Sequence, residues 1–177
     1  MRYHDEEWGV PVYDDQKQFE FLILESAQAG LSWSCVLNKR ENYRKAFANF
    51  NPKKVAQFDS VKVKKLLNNA GIIRNRLKIK AAINNAKRFL EIQKEFGSFS
   101  NYIWPFIAKH KPKKRKNLKD LPAITSESEA LTKDMKKRGF KFLGGTVLYS
   151  HMQAVGMVND HLVSCFRYRE VQKQWKK

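Results

Sequence analysis

The feature that most constrains the fold is a helical spacing of apolar residues, recurring along the chain while strand alternation is weak throughout. Ile79, Ala82, Ile83, Ala86, Phe89 and Leu90 line one face for three turns, the period of a helix that buries one side. Phe19, Leu22, Ile23 and Ser26 repeat the pattern, with Gly30 placed to end that helix. Val61 to Asn69 reads as a short helix with Asp59 or Ser60 as its cap. Ser126 with Glu129 three places later has capping-box spacing, for a helix running to about Arg138 and stopping at Gly139. A last helix is expected from about Thr146 past Val158. The pattern predicts an all-α fold. Two helical lobes are expected, one from residues 35–100, the other from 1–34 packed with 101–177.

The 177 residues suit one such unit and suffice to bury a core without staples. An apolar fraction of 42% is too rich for disorder, and no apolar run approaches the length of a membrane span. The opening MRYHDEEWGVP lacks the apolar core of a secretory signal. Two cysteines, Cys35 and Cys165, make no disulfide framework. The expectation is a cytoplasmic protein with Cys35 as a buried core thiol.

A net charge of +18 sets up a positive potential over much of the surface, for which a polyanion is the natural partner. Nucleic acid is the expected one; charge alone also allows an RNA-associated protein. Lys109 to Lys119 holds seven positive residues and no acid, with Pro112 to break a helix, and reads as a solvated loop.

Between the short helix and the long apolar stripe lies Ala70-Gly71-Ile72-Ile73-Arg74, with Leu66, Leu67 and Ile79 placed to lock the flanking helices. A tight glycine turn of this kind can aim backbone N–H groups at a DNA phosphate, helped by the positive end of the following helix. Gly71, Ile72, Ile73 and Arg74 are therefore candidate DNA contacts, with Arg76, Lys78 and Lys80 around them.

The runs YHDEEWGVP (Tyr3 to Pro11), LESAQAGLSW (Leu24 to Trp33), KRENYRKAF (Lys39 to Phe47), AGIIRNRLKI (Ala70 to Ile79), KKRGFKFLGGTVLYSHMQA (Lys136 to Ala154) and GMVNDH (Gly156 to His161) resemble the DNA-3-methyladenine glycosylase I family, in order and over about residues 3 to 168. The resemblance implies an all-α helix–hairpin–helix repair enzyme that hydrolyses the N-glycosidic bond of 3-methyladenine in alkylated double-stranded DNA, is monofunctional and leaves an abasic site. Other helix–hairpin–helix glycosylases place an Asp some way after the hairpin. This chain has no Asp between Asp59 and Asp120, as in the family named, and a labile cationic substrate needs less help.

Base excision requires extracting the base, holding it and admitting water to the sugar. Flat apolar faces are available from Tyr3, Trp8 and Trp33, and a cationic base over such a face gains about 0.5–2 kcal/mol. Glu25 can accept a hydrogen bond from the exocyclic amine and favours a positive base. The resemblance assigns Glu25 the catalytic, base-contacting role, with Tyr3 and Trp33 lining the same pocket and Trp8 as another family aromatic. Gly30 and Leu31 are either a wedge that fills the gap left by the flipped nucleotide or a helix C-cap with its hydrophobic contact.

His161 and Cys165 are four apart, and on one helix would share a face as a zinc pair. The family's structural zinc adds a His, matched by His4, and an upstream Cys, whereas Cys35 is the first cysteine here. Zinc on His4, His161 and Cys165 and loss of that clasp both stay open. So does a catalytically weakened damage-binding module as the alternative to the enzyme. No organic cofactor, membrane or protein partner is expected, and the protein is expected to act as a monomer.

Overall fold

Every long apolar stripe folds as a helix. Among the residues that the computed structural model describes, 2–109 and 113–175, β pairing is limited to one isolated bridge between Arg115 and Leu162. Eleven α-helices follow one another: α1 (Arg2–Glu6), α2 (Asp15–Gln28), α3 (Trp33–Leu37), α4 (Arg40–Ala46), α5 (Pro52–Val55), α6 (Ser60–Leu67), α7 (Arg76–Phe96), α8 (Phe99–Ile103), α9 (Ser126–Lys137), α10 (Gly145–Ala154) and α11 (Phe166–Gln174). None of the described helices is long and apolar enough to cross a membrane.

The centre of the fold is α2. Its sequence shows a one-sided stripe, yet every residue from Gln18 to Ala27 is buried, because α3, α7, α8 and α10 all pack around it. Its start is fixed by Asp14, whose side chain accepts from the Lys17 N–H, and Gly30 at φ +80° lies just past its end. Helix α7 carries the expected stripe and starts at Asn75, whose Oδ1 accepts from the N–H groups of Leu77 and Lys78.

Several boundaries differ from the sequence expectation. The capping box of α9 lies one residue earlier, with Thr125 and Ser128 exchanging side-chain-to-backbone bonds, so Ser126 is already helical. Helix α10 ends at Ala154 rather than continuing past Val158. Gly156 at φ +70° turns the chain, and the Met157 N–H closes back on Met152 O, a Schellman ending. Helix α11 has no apolar stripe to announce it, since only Val171 is buried. Cys35 is half-buried on α3 and not a core thiol.

The basic run is not wholly solvated either. Pro112 lies outside the described residues, but Arg115 is buried, with Nε 2.8 Å from Asp160 Oδ1 and Nη1 2.9 Å from Asp120 O. A cation at the centre of a positive run is drawn inward because a carboxylate waits there.

Candidate active site

Gln18, Glu20 and Glu25 of α2 are buried among apolar neighbours, and their partners separate them. Gln18 donates to Val12 O (2.7 Å) and pairs with His151 Nε2 (2.8 Å). Glu20 receives Arg40 Nε (2.8 Å), Arg44 Nη2 (2.9 Å) and Lys17 Nζ (3.3 Å). Glu25 is 4% exposed and has no hydrogen-bond partner among the described residues. Burial pushes its carboxyl up to about 8, since taking a carboxylate out of water without compensation disfavours the charged form.

Glu25 borders a cavity of about 160 Å³, walled by Tyr3 of α1, Trp8 just after it, Trp33 of α3, Gln28 one turn on from Glu25, and Ser150 and Gln153 of α10. That volume falls well below the ~300 Å³ of a drug-sized cleft and suits one flat heterocycle. Tyr3 and Trp33 pack ring to ring, centroids 5.3 Å apart and tilted by 51°. The Tyr3 hydroxyl and Trp33 Nε1 are buried with no hydrogen-bond partner. Burial, and then the Glu25 charge, raise the Tyr3 phenol above its ordinary value, which keeps it a donor. Buried polar groups are nearly always paired. Two unpaired donors and a carboxyl on residues that wall one hole suit it to a polar, planar guest.

The walls are held from outside. Arg40 binds both oxygens of Glu7 at 2.8 Å while its Nε holds Glu20, tying the end of α1 to α2. At the rim, Gly30 and Leu31 form the turn between α2 and α3, with the Leu31 N–H on Gln28 O (2.6 Å) and the Leu31 side chain 41% exposed. The turn thus closes α2 as the capping reading requires, and leaves an apolar side chain standing between two pocket residues as the wedge reading requires.

The hairpin is joined to this rim. Lys78 Nζ reaches Ala27 O (2.8 Å) and Ala29 O (2.6 Å), the last carbonyls of α2, and Lys39 Nζ reaches Ala70 O (3.1 Å). The expectation of free turn amides needs correction. Gly71 N–H is held by Asn69 Oδ1 (2.8 Å), Ile72 N–H by Asn69 O (3.3 Å) and Ile73 N–H by the Tyr43 hydroxyl (3.2 Å). Ile72 is buried and Arg74 exposed, so cationic side chains and the start of α7 are what the turn offers a phosphate. Gly71 is required by close approach, since a Cβ there would lie 2.9 Å from Asn42 Cγ and 3.0 Å from Asn69 Oδ1. Gly71→Val should therefore displace Asn69 and loosen the turn. Titration of undamaged duplex at two salt concentrations should show weaker binding on every sequence, on the order of tenfold; unchanged affinity would take the hairpin out of the interface.

His4, His161 and Cys165 come together, their ligand atoms all within 4.8 Å of one another. His161 and Cys165 do not share a helix. A turn with the Cys165 N–H on Leu162 O (2.8 Å) brings them together, and Cys165 Sγ is 3.7 Å from both His161 Nδ1 and His4 Nε2. The opposite ring nitrogens point at Trp8 O (3.0 Å) and Asp5 Oδ1 (2.8 Å). Those acceptors fix the tautomers that leave His161 Nδ1 and His4 Nε2 free for a metal. Burial lowers His161 further from protonation. Three donors at such spacing fit three corners of a tetrahedral site.

Most of this architecture matches known proteins. The model of the methyladenine glycosylase family matches residues 1–168. The chain belongs to the methyladenine glycosylase family. DNA-3-methyladenine glycosylase 1 of Escherichia coli (strain K12) is 50% identical over 170 residues, 95% of this chain and 90% of that protein. A crystal structure of a 3-methyladenine DNA glycosylase I superposes with TM-score 0.89 at 48% identity, covering 93% of this chain and 91% of the other. A structure of the Staphylococcus aureus 3-methyladenine DNA glycosylase I, determined for the basis of 3-methyladenine recognition, has TM-score 0.89 at 38% identity, covering 93% and 88%.

The site thus gathers Tyr3, Trp8, Glu25 and Trp33 at one cavity and His4, His161 and Cys165 at another point. Gln28, Ser150 and Gln153 were not singled out from sequence. Gln28 was findable as the residue one turn beyond Glu25, and Ser150 and Gln153 as an i, i+3 pair within the SHMQA run.

Proposed function

We propose that this chain is a monofunctional DNA glycosylase of base-excision repair that releases 3-methyladenine from alkylated double-stranded DNA. The observation that carries the reading is the aromatic-walled cavity beside which Glu25 is buried without a partner and the Tyr3 hydroxyl and Trp33 Nε1 are buried and unpaired. A 3-methylated adenine in DNA is cationic. As its bond to C1′ breaks, the base leaves with the bonding electron pair as a neutral purine, water supplies oxygen to C1′, and a proton goes to solvent. The base need not be protonated first. What the protein supplies is extraction, orientation and a favourable electrostatic setting for a positive ring. Glu25 faces that ring as an acceptor, Tyr3 and Trp33 wall it and offer donors, and Trp8 borders the cavity.

Leu31 enters the stack vacated by the flipped nucleotide. The hairpin from Gly71 to Arg74 and the start of α7 take the phosphate backbone, with Lys78 coupling that grip to the end of α2. The lobe of residues 35–100 supplies the hairpin, and the second lobe, from 1–34 and 101–177, supplies every lining residue of the pocket. A single chain contains every residue invoked, in keeping with a monomer. Two unpaired thiols are in keeping with a cytoplasmic location. His4, His161 and Cys165 would hold a zinc ion, which supplies a structural cross-link between α1 and the segment leading into α11.

Incubation with methylated duplex DNA should yield free 3-methyladenine and an abasic site, without strand cleavage by the protein. Tight binding to methylated DNA with no base released would instead establish a damage-binding module.

A further inference from the structure

Of the pocket residues without a role so far, Gln28, Ser150 and Gln153, the last is held in one orientation. Gln153 of α10 lines the same cavity as Glu25, and its carboxamide is not free to turn. Its Nε2 donates to Asp160 Oδ2 at 2.9 Å. Asp160 is itself buried and held by Arg115 Nε (2.8 Å) and by the Tyr149 hydroxyl. The reversed rotamer would set the Gln153 oxygen against a carboxylate, leaving two acceptors face to face and the network a donor short. The orientation is thus dictated by chemistry, with the nitrogen committed to Asp160 and Oε1 left as the acceptor for the cavity. Oε1 has no hydrogen-bond partner among the described residues.

We propose that Gln153, clamped by Asp160, is the second acceptor of the base pocket and a specificity-determining residue, favouring alkylpurines with an exocyclic amine over those with a carbonyl at that edge. The inference rests on the glycosylase reading and extends it to substrate choice. An exocyclic amine carries two N–H groups, and Glu25 and Gln153 can take one each. A carbonyl in the same place meets an acceptor and makes no bond. Glu25 cannot enforce this choice alone. Its carboxyl, raised by burial, is able to carry a proton and so to donate to a carbonyl. Gln153 cannot reverse its role while Asp160 holds its nitrogen. The run of Arg115, Asp160 and Gln153 also explains why one cation of the basic segment is buried, since it anchors the clamp.

The test is single-turnover release of 3-methyladenine and of 3-methylguanine from methylated duplexes by the wild-type chain, Gln153→Met and Gln153→Ala, with melting temperatures recorded for each. Both variants remove the acceptor, the first nearly isosterically. The expected result is a fall in the preference for 3-methyladenine on the order of tenfold, the worth of about one hydrogen bond, with 3-methylguanine release held or increased. An unchanged ratio, or an equal loss on both bases, in whichever variant folds, overturns the proposal. A wild-type chain that releases neither base would instead remove the glycosylase reading itself.

Discussion

Glu25→Gln is expected to slow release of 3-methyladenine by about 100-fold or more, the usual effect of removing a key electrostatic group from an active site, while making the protein more stable. The two effects have one cause. Glu25 is buried without a donor, so its carboxyl is pushed from 4.5 up to about 8. Between those values the folded chain holds a proton that the unfolded chain has lost. Stability therefore falls as pH rises from about 4.5 through 8. The glutamine variant has no such penalty. Its melting temperature should exceed that of the wild type by several degrees at pH 8, where the penalty is a few kcal/mol at most, and the gap should close toward pH 4.5. In the proposed function a cationic base entering the pocket supplies the countercharge the free protein lacks, so the group that costs stability is the one proposed to recognise substrate. Melting curves at pH 5 and pH 8, beside base-release rates, check both halves. A constant gap across that range would mean that Glu25 is not held away from water as described.

Gly156→Ala should be the most damaging small substitution in the chain. Gly156 sits at φ +70°, and an added Cβ would meet Pro11 N and the carbonyl carbon of Val10 well inside van der Waals contact. Neither is a side chain that can swing away. The left-handed conformation alone costs a residue with a Cβ roughly 1–2 kcal/mol, and displacing a backbone segment adds to that. The displaced segment matters, because Gly9 N–H on Gln153 O (3.1 Å) and Val12 N–H on Val155 O (3.0 Å) stitch residues 9–12 to the end of α10. Moving it carries off Trp8 and α1 with Tyr3 and His4. A loss of more than about 4 kcal/mol is expected, lowering the melting temperature by on the order of 10 °C, and base release should fall with it. A variant that melts within about 2 °C of the wild type would show that the crossing of residues 10–11 over α10 is looser than described.

The sequence reveals the helices where a stripe meets a cap, as at Asp59 before α6, and hides them where neither is present, as at α11. It does not show that α2 is buried on every side, because that depends on which helices surround it. For the same reason Glu20 and Glu25 look alike in the sequence. Both are acids on one helix, and only the approach of Arg40, Arg44 and Lys17 to the first, and of nothing to the second, makes one a structural ion pair and leaves the other the proposed reader of bases. Tyr3, Trp33 and Glu25 were legible through family motifs rather than spacing, since the cavity joins residues from α1, α2, α3 and α10. His161 and Cys165 were rightly grouped with His4 for the wrong local reason, a turn having done what a helix was expected to do. Arg115 lay concealed within a run of like charges, because long-range pairing with Asp160 leaves no local trace.

The central claim is that the space among Tyr3, Trp33 and Glu25 takes the excised base. The most direct measurement is the ¹⁵N–¹H signal of each tryptophan indole during titration with free 3-methyladenine. The indole of Trp33, a buried donor with no partner, should shift strongly, while Trp104, whose Nε1 already donates to Val12 O at 3.3 Å, should stay in place. A chain that releases 3-methyladenine from DNA while the Trp33 signal does not move would contradict the account.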